Sequence, residues 1–177
     1  MNPTLELASG SEDARDIAAA RGGDQAAFAA LYHRYARMVH GMLLARVPRE
    51  AVDDLVQDVF LMVYRRLDSL RDPGAFGGWL AQITRNRAHD YHRRSPQSQE
   101  LHEHMLIAPA SEDRLAEDAL EAVRNLPEAY RETLILRLVE GMSGAEIAER
   151  TGLTPASVRV NLHRGMKLLR EKLGGGR

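Results

Sequence analysis

The sequence predicts an all-α protein: two small helical domains joined by a flexible linker, the second containing a helix-turn-helix. Three observations predict it. Apolar residues recur at three- and four-residue spacing through most of the 177 residues, and no stretch shows the alternation of a half-buried strand. A polar, acidic stretch with prolines divides this pattern into two blocks. Near the C-terminus, two short helices are bracketed by cap and turn residues.

Residues 1–13 carry no amphipathic pattern and read as a disordered tail ahead of a first domain at 14–94. Asp24 is placed to cap a helix running to about Arg46, with Phe28, Leu31, Tyr32, Tyr35, Val39, Met42 and Leu43 along one stripe. A second helix over 49–69 carries Val52, Leu55, Val56, Val59, Phe60, Val63 and Leu67 at the same spacing. Pro73 and Gly74 break the pattern with a turn, and a third helix over 76–94 places Phe76, Trp79, Leu80 and Ile83 inward. These helices can close one small core.

Residues 95–115 form a linker by composition. From 95 to 117 five acids (Glu100, Glu103, Glu112, Asp113, Glu117) face one base, Arg114, a net of −4. The second domain, 116–174, opens with Leu120, Val123 and Leu126 on one helix. Pro127 starts the next, 128–140, with Tyr130, Leu134, Ile135 and Leu138 inward, and Gly141 stops it.

The last two helices have the clearest local signals. Ser143 and Glu146 form a capping-box pair, Gly152 supplies a left-handed C-cap, Thr154 caps the following helix and Pro155 occupies its first position. Ile147, Leu153, Val158 and Leu162 share an apolar seam, and small Ala148 lets the helices cross closely. Ala156, Ser157, Arg159, Val160, His163, Arg164 and Lys167 are left facing outward. Over 150–177 seven bases stand against Glu171 alone, a net of +6 in a chain whose total is −1. Positive charge is therefore concentrated where a recognition helix meets phosphate.

Composition sets outer bounds. With no cysteine, a disulfide framework and a thiolate metal site are excluded. No apolar run approaches the roughly 20 residues needed to span a bilayer, and the N-terminus lacks the basic start and apolar core of a leader. No membrane insertion and a cytoplasmic location are expected. Near-neutral total charge argues against non-specific coating of DNA, because Lys and Arg on phosphate supply most of that affinity.

Four segments together resemble the extracytoplasmic-function sigma factors of bacterial RNA polymerase, which keep only the region-2 and region-4 domains of the sigma-70 family. They are 23–32, from Gly23-Asp24-Gln25 to Leu31-Tyr32; 54–60, Asp54-Leu55-Val56-Gln57-Asp58-Val59-Phe60; 76–86, with Phe76, Trp79, Leu80, Ile83, Arg85 and Asn86; and Leu126-Pro127 through the helix-turn-helix to Leu169. The resemblance implies an alternative sigma factor that directs core polymerase to promoters. Its first domain would dock on the clamp helices of the largest polymerase subunit and open the −10 element. Its second would hold the −35 element as duplex, and an anti-sigma factor is the expected further partner.

The residues allow each role. Asp54, Gln57, Asp58, Leu61 and Arg65 lie opposite the apolar stripe of the 49–69 helix, and an outward leucine among polar residues suits a protein contact. In the family the loop before the Trp-bearing helix receives a flipped base; here that loop is 70–76, with Asp72, Pro73 and Gly74, ending at Phe76. One helix later Arg85, His89, His92 and Arg93 share a face beside Asn86, suited to the phosphates of a displaced strand. Trp79 reads as a core anchor; Phe76 stays open between core and stacking platform. For the −35 element the candidates are Ser157, Arg159, Val160, His163, Arg164 and Lys167, since arginine reads guanine with a bidentate pair and small apolar groups pack on a thymine methyl. Many relatives carry Ser-Arg where this chain has Val160-Asn161, a departure that weakens the transfer of a known −35 preference and leaves the groove assignment as it is.

Two rival readings are weaker. A two-domain repressor or activator would share the helix-turn-helix and bind a palindromic operator by itself. An enzyme would recruit Asp53, Asp54 and Asp58 with His89 and His92 as a metal site, but those carboxylates face outward by periodicity and no Glu-x-x-His pair occurs. His102 and His104 in the acidic linker read as a solvated pair. No catalytic set, metal or cofactor is expected.

Overall fold

The structure, a computed structural model, describes residues 3–94 and 112–174, with the side chains of 12–94 and 116–174. The described residues form eight α-helices. The first domain holds α1 (Pro3–Arg21), α2 (Gln25–Leu44), α3 (Arg49–Arg66) and α4 (Phe76–Arg94); the second holds α5 (Glu112–Arg124), α6 (Glu128–Leu138), α7 (Gly144–Thr151) and α8 (Pro155–Gly174).

The expected tail at 1–13 is corrected by α1, which starts at Pro3. Ile17 and Ala20 from this helix enter the core, but much of its attachment is polar. Asp13 and Asp16 are buried against Arg34, whose Nη2 donates to Asp16 Oδ2 at 2.8 Å and whose Nη1 donates to Asp13. Tyr35 Oη donates to the second Asp13 oxygen at 2.5 Å. Burial and that carboxylate hold the tyrosine hydroxyl well above its usual pKa. A helix docked through carboxylates leaves a faint apolar stripe, which is why periodicity misses it.

Asp24 caps α2 as expected, its Oδ1 accepting from the Ala26 and Ala27 amides at 2.9 and 3.2 Å. Leu31, Tyr35, Met38, Val39, Met42 and Leu43 then meet Val52, Leu55, Val56, Val59, Phe60 and Val63 of α3, and Phe76, Leu80, Ala81 and Ile83 of α4, in one core. The helix expected to reach Ser69 tightens after Arg66 into a 3-10 turn, Leu67–Ser69; a second 3-10 turn, Pro73–Ala75, follows with Asp72 Oδ1 accepting from the Gly74 amide at 2.9 Å.

In the second domain α5 begins at Glu112, so the region assigned to the linker, 95–115, is helical from that residue on. Residues 95–111, with His102 and His104, lie outside the described residues. On α6 the inward assignment of Leu138 is corrected: it is exposed, whereas Leu136 is fully buried. The reason is tertiary. One face of α6 packs on α8 and another on α2 of the first domain, so a single 3.6-residue stripe does not describe it.

The two domains pack on each other through α6 and α7 against α2 and α4. A Cβ on Gly77 would lie 2.5 Å from the carbonyl oxygen of Arg150, so only glycine lets α4 approach the end of α7 this closely. Polar groups seal the seam. Glu132, 4% exposed, accepts from Arg46 Nη2 at 2.5 Å and from Arg85 Nη2 at 2.8 Å. Arg124 donates to the carbonyls of Leu44 and Val47 at 2.9 and 2.8 Å, and Arg150 to that of Arg34 at 2.7 Å. No described helix is long and apolar enough to cross a membrane.

Candidate nucleic-acid interface

The recognition unit is built as its sequence dictates. Ser143 Oγ accepts from the Glu146 amide at 3.2 Å, and Glu146 Oε2 accepts from the Ser143 amide at 2.8 Å, closing the capping box. Those bonds hold the Glu146 carboxyl below its usual pKa. Gly152 ends α7 in the left-handed region, at φ 73°. Thr154 Oγ1 accepts from the Ser157 amide at 3.1 Å and opens α8. Ile147, Ala148 and Val158 are buried and Leu153 and Leu162 half-buried, so the seam fixes the angle between the helices.

The opposite face of α8 is open. Ala156, Ser157, Arg159, Val160, His163, Arg164 and Lys167 are all exposed, Val160 by 42%. Ser157 Oγ also lies 2.8 Å from Thr154 Oγ1, so its hydroxyl helps start the helix as well as facing outward. Four bases and three smaller side chains on one surface, at the start of a capped helix, can enter a major groove and meet both phosphates and base edges.

The face of α4 is basic too, but partly engaged. His89, Arg93 and Asn86 are exposed; Asn86 Oδ1 accepts from Gln82 at 2.9 Å and Arg93 pairs with Asp90 at 3.0 Å. Arg85 is half-buried against Glu132, and His92 Nε2 lies 2.7 Å from the carbonyl oxygen of Arg46. Burial alone would raise the Glu132 carboxyl; hydrogen bonds and charge from Arg85 and Arg46 outweigh it and keep the group ionised below the usual range. The sequence places Arg85 on this face but gives no sign of Glu132, which lies 47 residues away in the chain.

The loop between α3 and α4 exposes Asp72, Gly74 and Ala75, with Pro73 half-buried. Phe76 has no exposed surface; its ring packs edge-on against Tyr35 at 5.0 Å and beside Trp79 at 6.0 Å. Its assignment among the −10 DNA contacts is therefore corrected to a core anchor, the apolar ring having a complete hydrophobic site. Trp79 is half-buried against the same core.

On α3, Asp54, Gln57, Leu61 and Arg65 are exposed, Leu61 by 48%, with exposed Tyr64 enlarging the apolar area beside them. Asp58 is half-buried and pairs with Arg87 of α4, so it braces the domain as well as bordering this face. A cleft of about 420 Å³ runs from Gln57 and Asp53 to His40 and Glu140, touching both domains. His40 Nδ1 lies 2.6 Å from Glu140 Oε1, a contact that raises the imidazole pKa. The carboxylates and histidines considered for a metal site are not brought together: Asp58 is on Arg87 and His92 on the Arg46 carbonyl.

Comparison with known proteins follows the same division. Residues 31–96 match the family model for Sigma-70 region 2, and residues 116–169 match that for Sigma-70, region 4. The chain is 31% identical over 169 residues to the ECF RNA polymerase sigma-E factor of Haemophilus influenzae, covering 85% of this chain and 89% of that protein. It is 35% identical over 162 residues to the RNA polymerase sigma factor CarQ of Myxococcus xanthus, covering 87% and 93%. Among solved structures, CnrH in complex with the cytosolic domain of CnrY aligns with a TM-score of 0.65 at 26% identity, over 94% of this chain and 99% of that one. RpoE from Bartonella quintana, in complex with the anti-sigma factor NepR, shares the fold with a TM-score of 0.55 at 23% identity, over 85% and 98%.

Proposed function

The chain belongs to the extracytoplasmic-function sigma factors of the sigma-70 family, and on that premise we propose how its surfaces divide the work of promoter recognition. The observation that carries the proposal is the open basic face of α8 on a helix-turn-helix whose capping box, left-handed turn glycine and Thr154 cap are all formed. In this reading Ser157, Arg159, Val160, His163, Arg164 and Lys167 meet the −35 element as duplex, with Arg159 near a base edge and Lys167 on phosphate. The loop 70–76 receives an extruded −10 base, and Arg85, Asn86, His89, His92 and Arg93 follow the displaced strand.

Core polymerase docks on the exposed face of α3. Asp54, Gln57, Leu61, Tyr64 and Arg65 combine an apolar centre with a charged rim, the composition of a protein interface. The largest subunit's clamp helices are the proposed partner, and a protein regulator of the anti-sigma kind the second. The protein works in the cytoplasm as a specificity subunit rather than as an enzyme of its own.

A total charge of −1 implies weak DNA binding without polymerase. Footprinting on a cognate promoter is expected to give little protection by the isolated protein and clear −35 and −10 protection by the holoenzyme. Strong, symmetric protection by the isolated protein would instead identify a conventional repressor.

A further inference from the structure

Beyond α3 the chain closes one 3-10 turn, in which the Leu70 amide donates to the Leu67 carbonyl at 3.2 Å, and that carbonyl and the one of Leu70 keep room for a further donor. Arg21, the last residue of α1, reaches them from another part of the chain. Its Nε and Nη2 donate to the Leu67 carbonyl at 3.2 and 3.0 Å, and Nη2 also donates to the Leu70 carbonyl, the point where the loop leaves the helix. The far end of that loop returns to the same helix by a different route: buried Phe76 packs on Tyr35, whose hydroxyl donates to Asp13 of α1. Between these two ties, Asp72, Gly74 and Ala75 face solvent.

We propose that Arg21 is a positioning residue for −10 base recognition: by fixing where the loop leaves α3, it sets the span and path of the base-binding segment. The inference rests on the assignment of loop 70–76 to an extruded base. The guanidinium suits the task because its planar fork serves two carbonyls at once, which a lysine ammonium does only as a point donor. Arg21 is itself exposed, so water can satisfy the carbonyls once it is removed. Its loss therefore shifts the loop without emptying the core, which Ile17 and Ala20 continue to fill.

Four holoenzymes test this: the unchanged protein, Arg21→Ala, Arg21→Lys and the loop variant Asp72→Ala. The probes are single-stranded non-template oligonucleotides carrying either the −10 sequence selected by the unchanged holoenzyme or that sequence with the extruded base replaced. Arg21→Ala is expected to lower the affinity ratio between the two by about fivefold or more, because an untied loop is in its base-binding path for a smaller fraction of the time. Arg21→Lys should recover part of the ratio. Affinity for −35 duplex, affinity for core and the melting temperature should stay unchanged, which a merely structural role would not allow. If Asp72→Ala loses discrimination while Arg21→Ala keeps it, the positioning role is overturned and the loop assignment stands. If neither variant alters it, both fall. A parallel loss of discrimination, core binding and melting temperature in Arg21→Ala would reduce the residue to a structural brace.

Discussion

The basic faces of α8 and α4 are alike in charge and unlike in freedom. Every candidate base on α8 is exposed, and the packing that orients the helix uses only its opposite side. On α4, Arg85 already holds a carboxylate and His92 already holds a carbonyl, both supplied by the closure of the two domains or the end of α2. The contrast shows that local sequence builds the open basic face of α8 outright, whereas on α4 the freedom of Arg85 depends on the second domain through Glu132. Glu132 occupies the Arg85 guanidinium, so on the proposed assignment of this face a DNA phosphate would have to compete with the ion pair.

The largest effect should come from Phe76, because its position decides whether the loop before α4 ends in a core anchor or a base platform. Phe76→Ala should destabilise the first domain by about 3–5 kcal/mol, the cost of emptying a fully buried aromatic site, read as a lowered thermal midpoint. A variant of unchanged stability that fails only in strand opening would return Phe76 to the DNA surface.

Glu132→Ala comes next. It leaves Arg46, which is largely buried, with only the exposed Glu128 carboxylate at 3.0 Å and frees Arg85, so the seam between the domains should weaken by about 2–4 kcal/mol. Spin labels placed one in each domain should report a longer and broader distance, and the isolated protein should bind single-stranded −10 DNA more tightly. The −35 affinity of α8 should not change, since Glu132 lies away from that face.

Within α8 the comparison can be sharpened residue by residue. Arg159→Ala should cost about 1–3 kcal/mol on the preferred −35 duplex and relax preference at one position. Lys167→Ala should give a smaller, sequence-independent loss with a shallower salt dependence.

The smallest effect is a pH dependence of the domain seam. Glu140 raises the His40 pKa above its ordinary 6.5, with Asp53 in support and Arg49 opposed. The contribution of this pair is therefore fully present below the ordinary value and is lost as pH rises through the raised one. Interdomain distances should lengthen slightly over that window, and His40→Gln should remove the response.

Much of this fold is legible in the amino-acid sequence, though unevenly. The capping box at Ser143 and Glu146, the left-handed Gly152 and the Asp24 cap depend on neighbours within a few residues, and each forms as its local sequence dictates. What the sequence hides depends on distant partners. The α1 helix docks through Asp13 and Asp16 on Arg34, so it carries little apolar signal. Leu136 rather than Leu138 is buried because α2 covers a second face of α6. Gly77 reads as part of a motif, whereas its lack of a side chain is what admits the carbonyl of Arg150. The pairing of Arg85 with Glu132 joins two domains and leaves no periodic trace in either.

The division of labour between α4 and α8 is tested most directly by one paired experiment. Holoenzymes carrying Arg85→Ala or Arg164→Ala are placed on the same promoter, and both −35 protection and permanganate reactivity of unpaired −10 thymines are recorded. Arg85→Ala should keep −35 protection and lose thymine reactivity; Arg164→Ala should weaken −35 protection while leaving opened thymines reactive at saturating holoenzyme. The reverse pattern, or an identical defect in both variants, would contradict the assignment of strand opening to α4 and duplex reading to α8.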